Sequence, residues 1–185
     1  QISFGISSLK KGAALLREKR VRLGLDPALS AVGIEDSVKK IFERDKAQVL
    51  LYSDIRSDSS SEKADEISDL AQTGRAEALI GIGGIRTLNA AKTAAYLCGS
   101  GLRTDDIIDG ALPDSRGLAY IEIPAAGRNP FMMRETLLLL DGRNRNTVLI
   151  EAPGSLPEMV LIDPSIGTTL TRRLLLSTLL DTFLF

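Results

Sequence analysis

The chain has 185 residues, 44% of them hydrophobic and 25% charged, with 23 basic and 24 acidic side chains and a net charge of -1. That length and balance fit one globular domain or slightly more, with enough apolar material to bury a core. The even charge offers no basic surface for nucleic acid, no apolar run reaches the ~18–20 residues of a bilayer span, no signal-peptide pattern opens the chain, and the lone Cys98 excludes an internal disulfide framework. The chain is therefore expected to be soluble and cytoplasmic. It contains no histidine, so the commonest general base near neutral pH and the commonest transition-metal ligand are missing. Neither a Ser-His-Asp nor a Cys-His nucleophile system can be assembled from it. It opens on Gln1 and closes on Phe185 inside an apolar run, so both ends are expected to be cut.

In chain order, residues 2–4 read as a short strand. Residues 9–19 carry Ala13, Leu15 and Leu16 amid charges and read as an amphipathic helix. Residues 21–25 alternate as a strand, ended by Asp26-Pro27, which suits the cap and first turn of a short helix. Residues 35–45 place Val38, Ile41 and Phe42 on one helical face, and residues 48–52 form an apolar strand. A polar loop at 53–61 leads, with Ser61 as a cap, into a helix over 62–72. Residues 77–82 make another strand and 88–98 another helix. This repeated strand-helix order predicts an α/β, Rossmann-like parallel sheet flanked by helices on both faces. The pattern then changes. A strand over 118–123 ends at Pro124. Apolar runs at 135–140 and 147–151 surround a turn-rich stretch from Asp141 to Asn146, predicting an added β-hairpin. A brief strand at 159–162 precedes Asp163-Pro164, and a leucine-rich helix fills 170–185.

The segment Ile80-Gly81-Ile82-Gly83-Gly84-Ile85-Arg86-Thr87-Leu88-Asn89-Ala90-Ala91-Lys92 carries the most chemistry. A strand meets paired glycines and then a helix, which sets bare N–H groups at a helix N-terminus, where a phosphate binds well. The alternative is that Gly83-Gly84 only makes a tight turn. Asp26, at the end of an earlier strand, has two readings as well: a carboxylate accepting from a ribose diol and repelling a 2′-phosphate, or an N-cap before Pro27. Arg128, Arg134, Arg143 and Arg145 either face one anion, if the hairpin folds back, or form a solvated rim. Cys98 is expected to be a buried structural thiol.

Taken in order, Ile2-Ser3-Phe4-Gly5, Leu25-Asp26-Pro27, Gly83-Gly84 with Ala90-Ala91-Lys92, Ile123-Pro124-Ala125-Ala126-Gly127, Ile162-Asp163-Pro164 and Leu180-Asp181 resemble the N-terminal half of the iron-containing alcohol dehydrogenases, within the dehydroquinate synthase-like superfamily. The resemblance implies a nucleotide-binding α/β domain over 1–164 and, over 165–185, the truncated beginning of a helical metal-binding domain. It implies a nicotinamide cofactor, NAD or NADP with NAD favoured by Asp26. Gly83, Gly84, Arg86 and Asn89 would lie at the pyrophosphate, and Ala125, Ala126 and Arg128 on the loop above. Asp181 would be a first metal ligand, with iron or zinc held only if the missing second domain is present. No residue is a candidate catalytic acid or base.

The implied reaction is hydride transfer between the cofactor and a small alcohol or aldehyde, incomplete or weakened in this chain alone. The implied partners are a second copy or the missing domain, with no nucleic acid and no membrane. The sequence departs from the family pattern at Ile85, Arg86 and Asn89, and at Ala125 and Ala126, where hydroxyl residues are usual. Each lost hydroxyl–phosphate bond removes ~1–2 kcal/mol of binding. The departures leave two other readings open: a binding or assembly module that has lost the cofactor, and a polyol or phosphorylated-substrate dehydrogenase of the same superfamily.

Overall fold

The computed structural model describes the chain except for residues 45, 54–60, 126–128, 169 and 185 and the side chains of residues 28, 178 and 181–184. Most of the polar loop expected at 53–61 therefore lies outside the described residues. The strands are β1 (Ile2–Phe4), β2 (Arg20–Leu25), β3 (Gln48–Tyr52), β4 (Ala78–Gly83), β5 (Ala119–Pro124), β6 (Thr136–Asp141), β7 (Asn146–Glu151) and β8 (Met159–Ile162). The helices are α1 (Ser8–Leu15), α2 (Pro27–Ser30), α3 (Ile34–Arg44), α4 (Ser61–Thr73), α5 (Ile85–Leu97), α6 (Thr104–Ile108), α7 (Pro164–Gly167) and α8 (Arg172–Leu184). Six strands form one sheet in the order β1-β8-β5-β4-β2-β3, parallel at every pairing. The expected α/β architecture is present, and the hairpin β6–β7 stands apart as a second, antiparallel sheet. Among the described residues no helix is long and apolar enough to cross a membrane.

Strand β4 explains why the sheet needs helices on both faces. Every residue in it is buried, and its side chains alternate between two cores as the pleat requires. Ala78, Ile80 and Ile82 join Leu23, Leu25, Phe42 and Leu161 in one core. Leu79 joins Ile67, Ala90, Ala91, Ala94 and Tyr120 in the other. Each fully buried large side chain contributes ~1.5–3 kcal/mol. The second core is thin because α5 turns alanines toward the sheet. The helix also reaches the start of β5: the Leu118 N–H donates to Ala95 O at 2.9 Å, and a Cβ on Gly117 would lie 2.0 Å from that same carbonyl oxygen.

The hairpin packs its own small core, Leu137, Leu139 and Ala152, against Tyr96 and Leu97 of α5 and Ile107 of α6. Polar groups fix its position. Lys92, 3% exposed, donates to Thr136 O at 3.1 Å and to Arg134 O. The Asn89 Oδ1 accepts from the Leu138 N–H at 3.0 Å. Arg143 makes a two-pronged pair with Asp109 at 2.9 and 3.0 Å and also bonds Asp141 at 3.1 Å. Arg143 thus fastens the hairpin to α6 instead of joining Arg134 and Arg145, which are exposed, around a common anion.

Glu122 of β5 lies next to this clamp, only 2% exposed. Burial lifts its carboxyl from an ordinary 4.5 to about 7, against the opposing pull of the Lys92 ammonium and a hydrogen bond from the Asn129 amide. Lys92 is in turn pushed below the usual lysine value by burial, with Glu122 and Glu135 opposing.

Two outcomes are expected. Gly117→Ala forces a backbone carbonyl out of contact and lowers stability by about 2–3 kcal/mol or more in urea titration. For Glu122, the folded state holds its proton up to about pH 7, whereas the unfolded chain releases it near 4.5. Its favourable share is therefore complete below the unfolded value and lost as pH rises through the folded one. Between about pH 5 and about pH 8 the native chain should lose ~1–3 kcal/mol relative to Glu122→Gln. Parallel pH–stability curves for the two proteins would contradict this.

Candidate functional site

The connection from β2 runs outward to β3 and then returns to β4 on the other side of β2. The carboxyl ends of β2 and β4 therefore flank the point where the winding reverses, the place in open parallel sheets where a crevice forms. Asp26 follows β2 directly, and its N–H donates to Ile82 O at 3.0 Å, carrying the pairing of β2 with β4 one residue further. Its carboxylate Oδ2 accepts from the Thr87 hydroxyl at 3.2 Å and lies 3.5 Å from the Gly84 N–H.

Gly83 and Gly84 do different work. Gly83 has φ +151°, and a Cβ there would come within 2.6 Å of the Asp26 Cβ and 3.1 Å of the Thr87 Cβ. No other residue fits between β2 and α5. Gly84 is the N-cap of α5 with an ordinary extended backbone, φ −84° and ψ −178°. Among the described residues a Cβ on Gly84 would meet only Asp26 Oδ2, at 3.9 Å, within contact range. The positive end of a 13-residue helix faces that position. Helix α5 begins at Ile85, three residues before the expected start at 88, so the glycine turn abuts the helix with no intervening loop.

The structure brings together Asp26, Gly83, Gly84 and Ala125, whose N–H donates to Gly83 O at 2.9 Å. Arg86 is exposed on the first turn of α5 and Ile85 is half-buried beside it. Asn89 is placed elsewhere. It is 2% exposed, its Nδ2 donates to Ile85 O at 2.9 Å and its Oδ1 holds the hairpin, so its amide serves packing. Ala126 and Arg128 lie outside the described residues, as does the side chain of Asp181 on α8. Cys98 is half-buried against the α4–α5 core, and burial pushes its thiol up.

Two residues were not anticipated from the sequence. Thr87 holds the Asp26 carboxylate, and the available signal was a small hydroxyl residue in the first turn after the glycines. Glu122 signals itself as an acid within the apolar run Tyr120-Ile121-Glu122-Ile123. A cleft of about 510 Å³ lined by Tyr96, Asp114, Arg116, Glu135 and Leu156 lies where the strands begin, at the opposite edge from Asp26. As for a metal, the chain has no histidine, and among the described residues no group of three or more Cys, Asp or Glu is placed to hold an ion. These residues do not fit a metal centre.

Solved structures share this arrangement of strands and helices. NADH-dependent butanol dehydrogenase A from Thermotoga maritima superposes with a TM-score of 0.82 at 18% identity, over 98% of this chain and 46% of that one. An alcohol dehydrogenase from Oenococcus oeni gives 0.86 at 15% identity, over 98% and 49%. A sulfoacetaldehyde reductase from Bifidobacterium kashiwanohense, solved in complex with NAD+, gives 0.79 at 15% identity, over 90% and 45%. At such identities the likeness is one of fold, and the chain spans about half the length of these relatives. No curated protein matches it by sequence. The family model described as iron-containing alcohol dehydrogenase matches residues 1–164, a segment that contains the entire six-stranded sheet and ends at the first residue of α7. By that match, across a sheet whose winding reverses at the paired glycines, the chain belongs to the iron-containing alcohol dehydrogenase family.

Proposed function

We propose that this chain is the cofactor-binding half of an NAD-dependent alcohol dehydrogenase, with residues 1–164 forming the dinucleotide domain and 165–185 opening a second, helical one. The observation that carries this reading is the Gly83-Gly84 turn at the start of α5, in the crevice between β2 and β4 and beside the Asp26 carboxylate, where the described residues leave room over Gly84. A diphosphate at that turn receives backbone N–H groups and the positive helix end, with Arg86 on the same turn as a charge partner. Asp26 accepts from the hydroxyls of the adenosine ribose and repels a 2′-phosphate. Ala125 closes the far side through its bond to Gly83. The nicotinamide ring, when bound, exchanges a hydride with the carbon of an alcohol or aldehyde. This chain's part is to hold and orient that cofactor, and no catalytic acid, base or metal step is placed on its residues. Exposed Leu174, Leu176, Leu179 and Leu180 on α8 support a further covering partner, either the helical domain or a second copy.

Calorimetric titration with NAD+ is expected to give a saturable isotherm in the micromolar range. Silence at millimolar NAD+ would favour the reading as a module without cofactor. NADP+ is expected to bind about 10-fold or more weakly than NAD+, a difference of about 1.4 kcal/mol. Gly84→Val fills the room left by the described residues without touching the core, so it should weaken NAD+ by about 10-fold or more while leaving the melting temperature near that of the native chain. Equal loss of stability and binding would place Gly84 in the scaffold instead.

A further inference from the structure

We infer that the Asp26 carboxylate is a resident anion on the first turn of α5, positioned there by Thr87, and that a diphosphate takes the seat only by displacing it. The inference rests on the nucleotide reading of this crevice and concerns what must move for that reading to operate. The carboxylate oxygen that lies 3.5 Å from the Gly84 N–H also accepts from the Thr87 hydroxyl at 3.2 Å. Among the described residues it is the one atom that a Cβ on Gly84 would meet within 4 Å. A negative charge thus already lies where the helix end favours one.

A phosphate brought to the same amide meets that charge at close range, and two anions cannot share one donor without cost. A swing of the Asp26 side chain resolves both demands. It frees the Gly84 N–H for a phosphate oxygen, and it releases the carboxylate to accept from a ribose diol. Thr87 opposes the swing. It is 2% exposed, so its hydroxyl is fixed and its bond is lost when the carboxylate leaves. Thr87 is then a positioning residue that sets how readily the seat empties, and Asp26 contributes in opposite directions to the two ends of one ligand.

The test uses two fragments of a dinucleotide, inorganic pyrophosphate and adenosine, titrated separately into the full 185-residue chain by calorimetry. Asp26→Asn keeps the shape and removes the charge. It should bind pyrophosphate about 3–5-fold more tightly, the size of a charge effect at a helix end, and adenosine several-fold more weakly. Thr87→Val loosens the carboxylate without neutralising it. It should tighten pyrophosphate by a smaller factor and leave adenosine unchanged or slightly tighter, which a purely structural role for the hydroxyl would not produce. Raising the salt concentration should shrink the Asp26→Asn gain.

Pyrophosphate affinity that is unchanged, weaker or undetectable in both variants would overturn the inference, whichever way NAD+ behaves. Should Asp26→Asn fold poorly, as its melting temperature would report, Thr87→Val decides the matter alone. Saturable NAD+ binding with no pyrophosphate gain leaves the cofactor reading standing and the resident anion refuted. A pyrophosphate gain with NAD+ silent in all three proteins does the reverse.

Discussion

At the end of β4 the backbone of Gly83 runs within side-chain distance of Asp26 and Thr87, and the crevice depends on the hydrogen atom that stands where other residues have a Cβ. The pairing of β2 with β4 continues to the Asp26 N–H, and the pairing of β4 with β5 extends through the Ala125 N–H on Gly83 O. Three strand ends therefore converge on one small residue. A larger one would push β2 from α5 by a distance that the flanking cores, already close-packed, could not absorb. The position of the Asp26 carboxylate and the direct start of α5 both follow from that single close approach.

A second constraint acts further along α5. The hairpin buries Leu137 and Leu139 against the helix, and polar bonds from Asn89, Lys92 and Arg143 fix its position. Each of these settles buried or half-buried backbone and carboxylate groups that would otherwise be left without partners. The cost is a lysine and a glutamate inside the protein, the lysine's pKa lowered and the glutamate's raised by burial.

Most of the sheet was legible in the sequence because β-branched and leucine runs bounded by glycine, proline and aspartate have few other uses. Strands β3 and β8 were placed at their observed bounds. The early start of α5 was not legible. Its N-cap is a glycine, and Ile85 and Thr87 are weak helix formers, so no capping side chain announced the turn. Helix α6 was overlooked although Asp105 and Asp106 mark its first turn, with the Arg103 N–H donating to Asp106 at 2.7 Å. In the site, Asp26 and the glycines were recognisable separately. Their contact spans 58 positions and follows from sheet order. The fate of Asn89 was beyond sequence reasoning, since its partner Leu138 is 49 positions away and arrives only once the hairpin docks.

The first strand closes the sheet against the last. Gln1 donates its terminal amine to Glu158 O, 157 positions away, and Ile2 aligns with Val160. Strand β1 therefore has no partner until β8 is in place, and a pairing across so long a separation carries its loop-closure entropy before any contact rewards it. Ser3 is its one buried residue, while Ile2 and Phe4 stay exposed after pairing, so this edge adds backbone bonds more than core and is the part of the sheet that opens most easily.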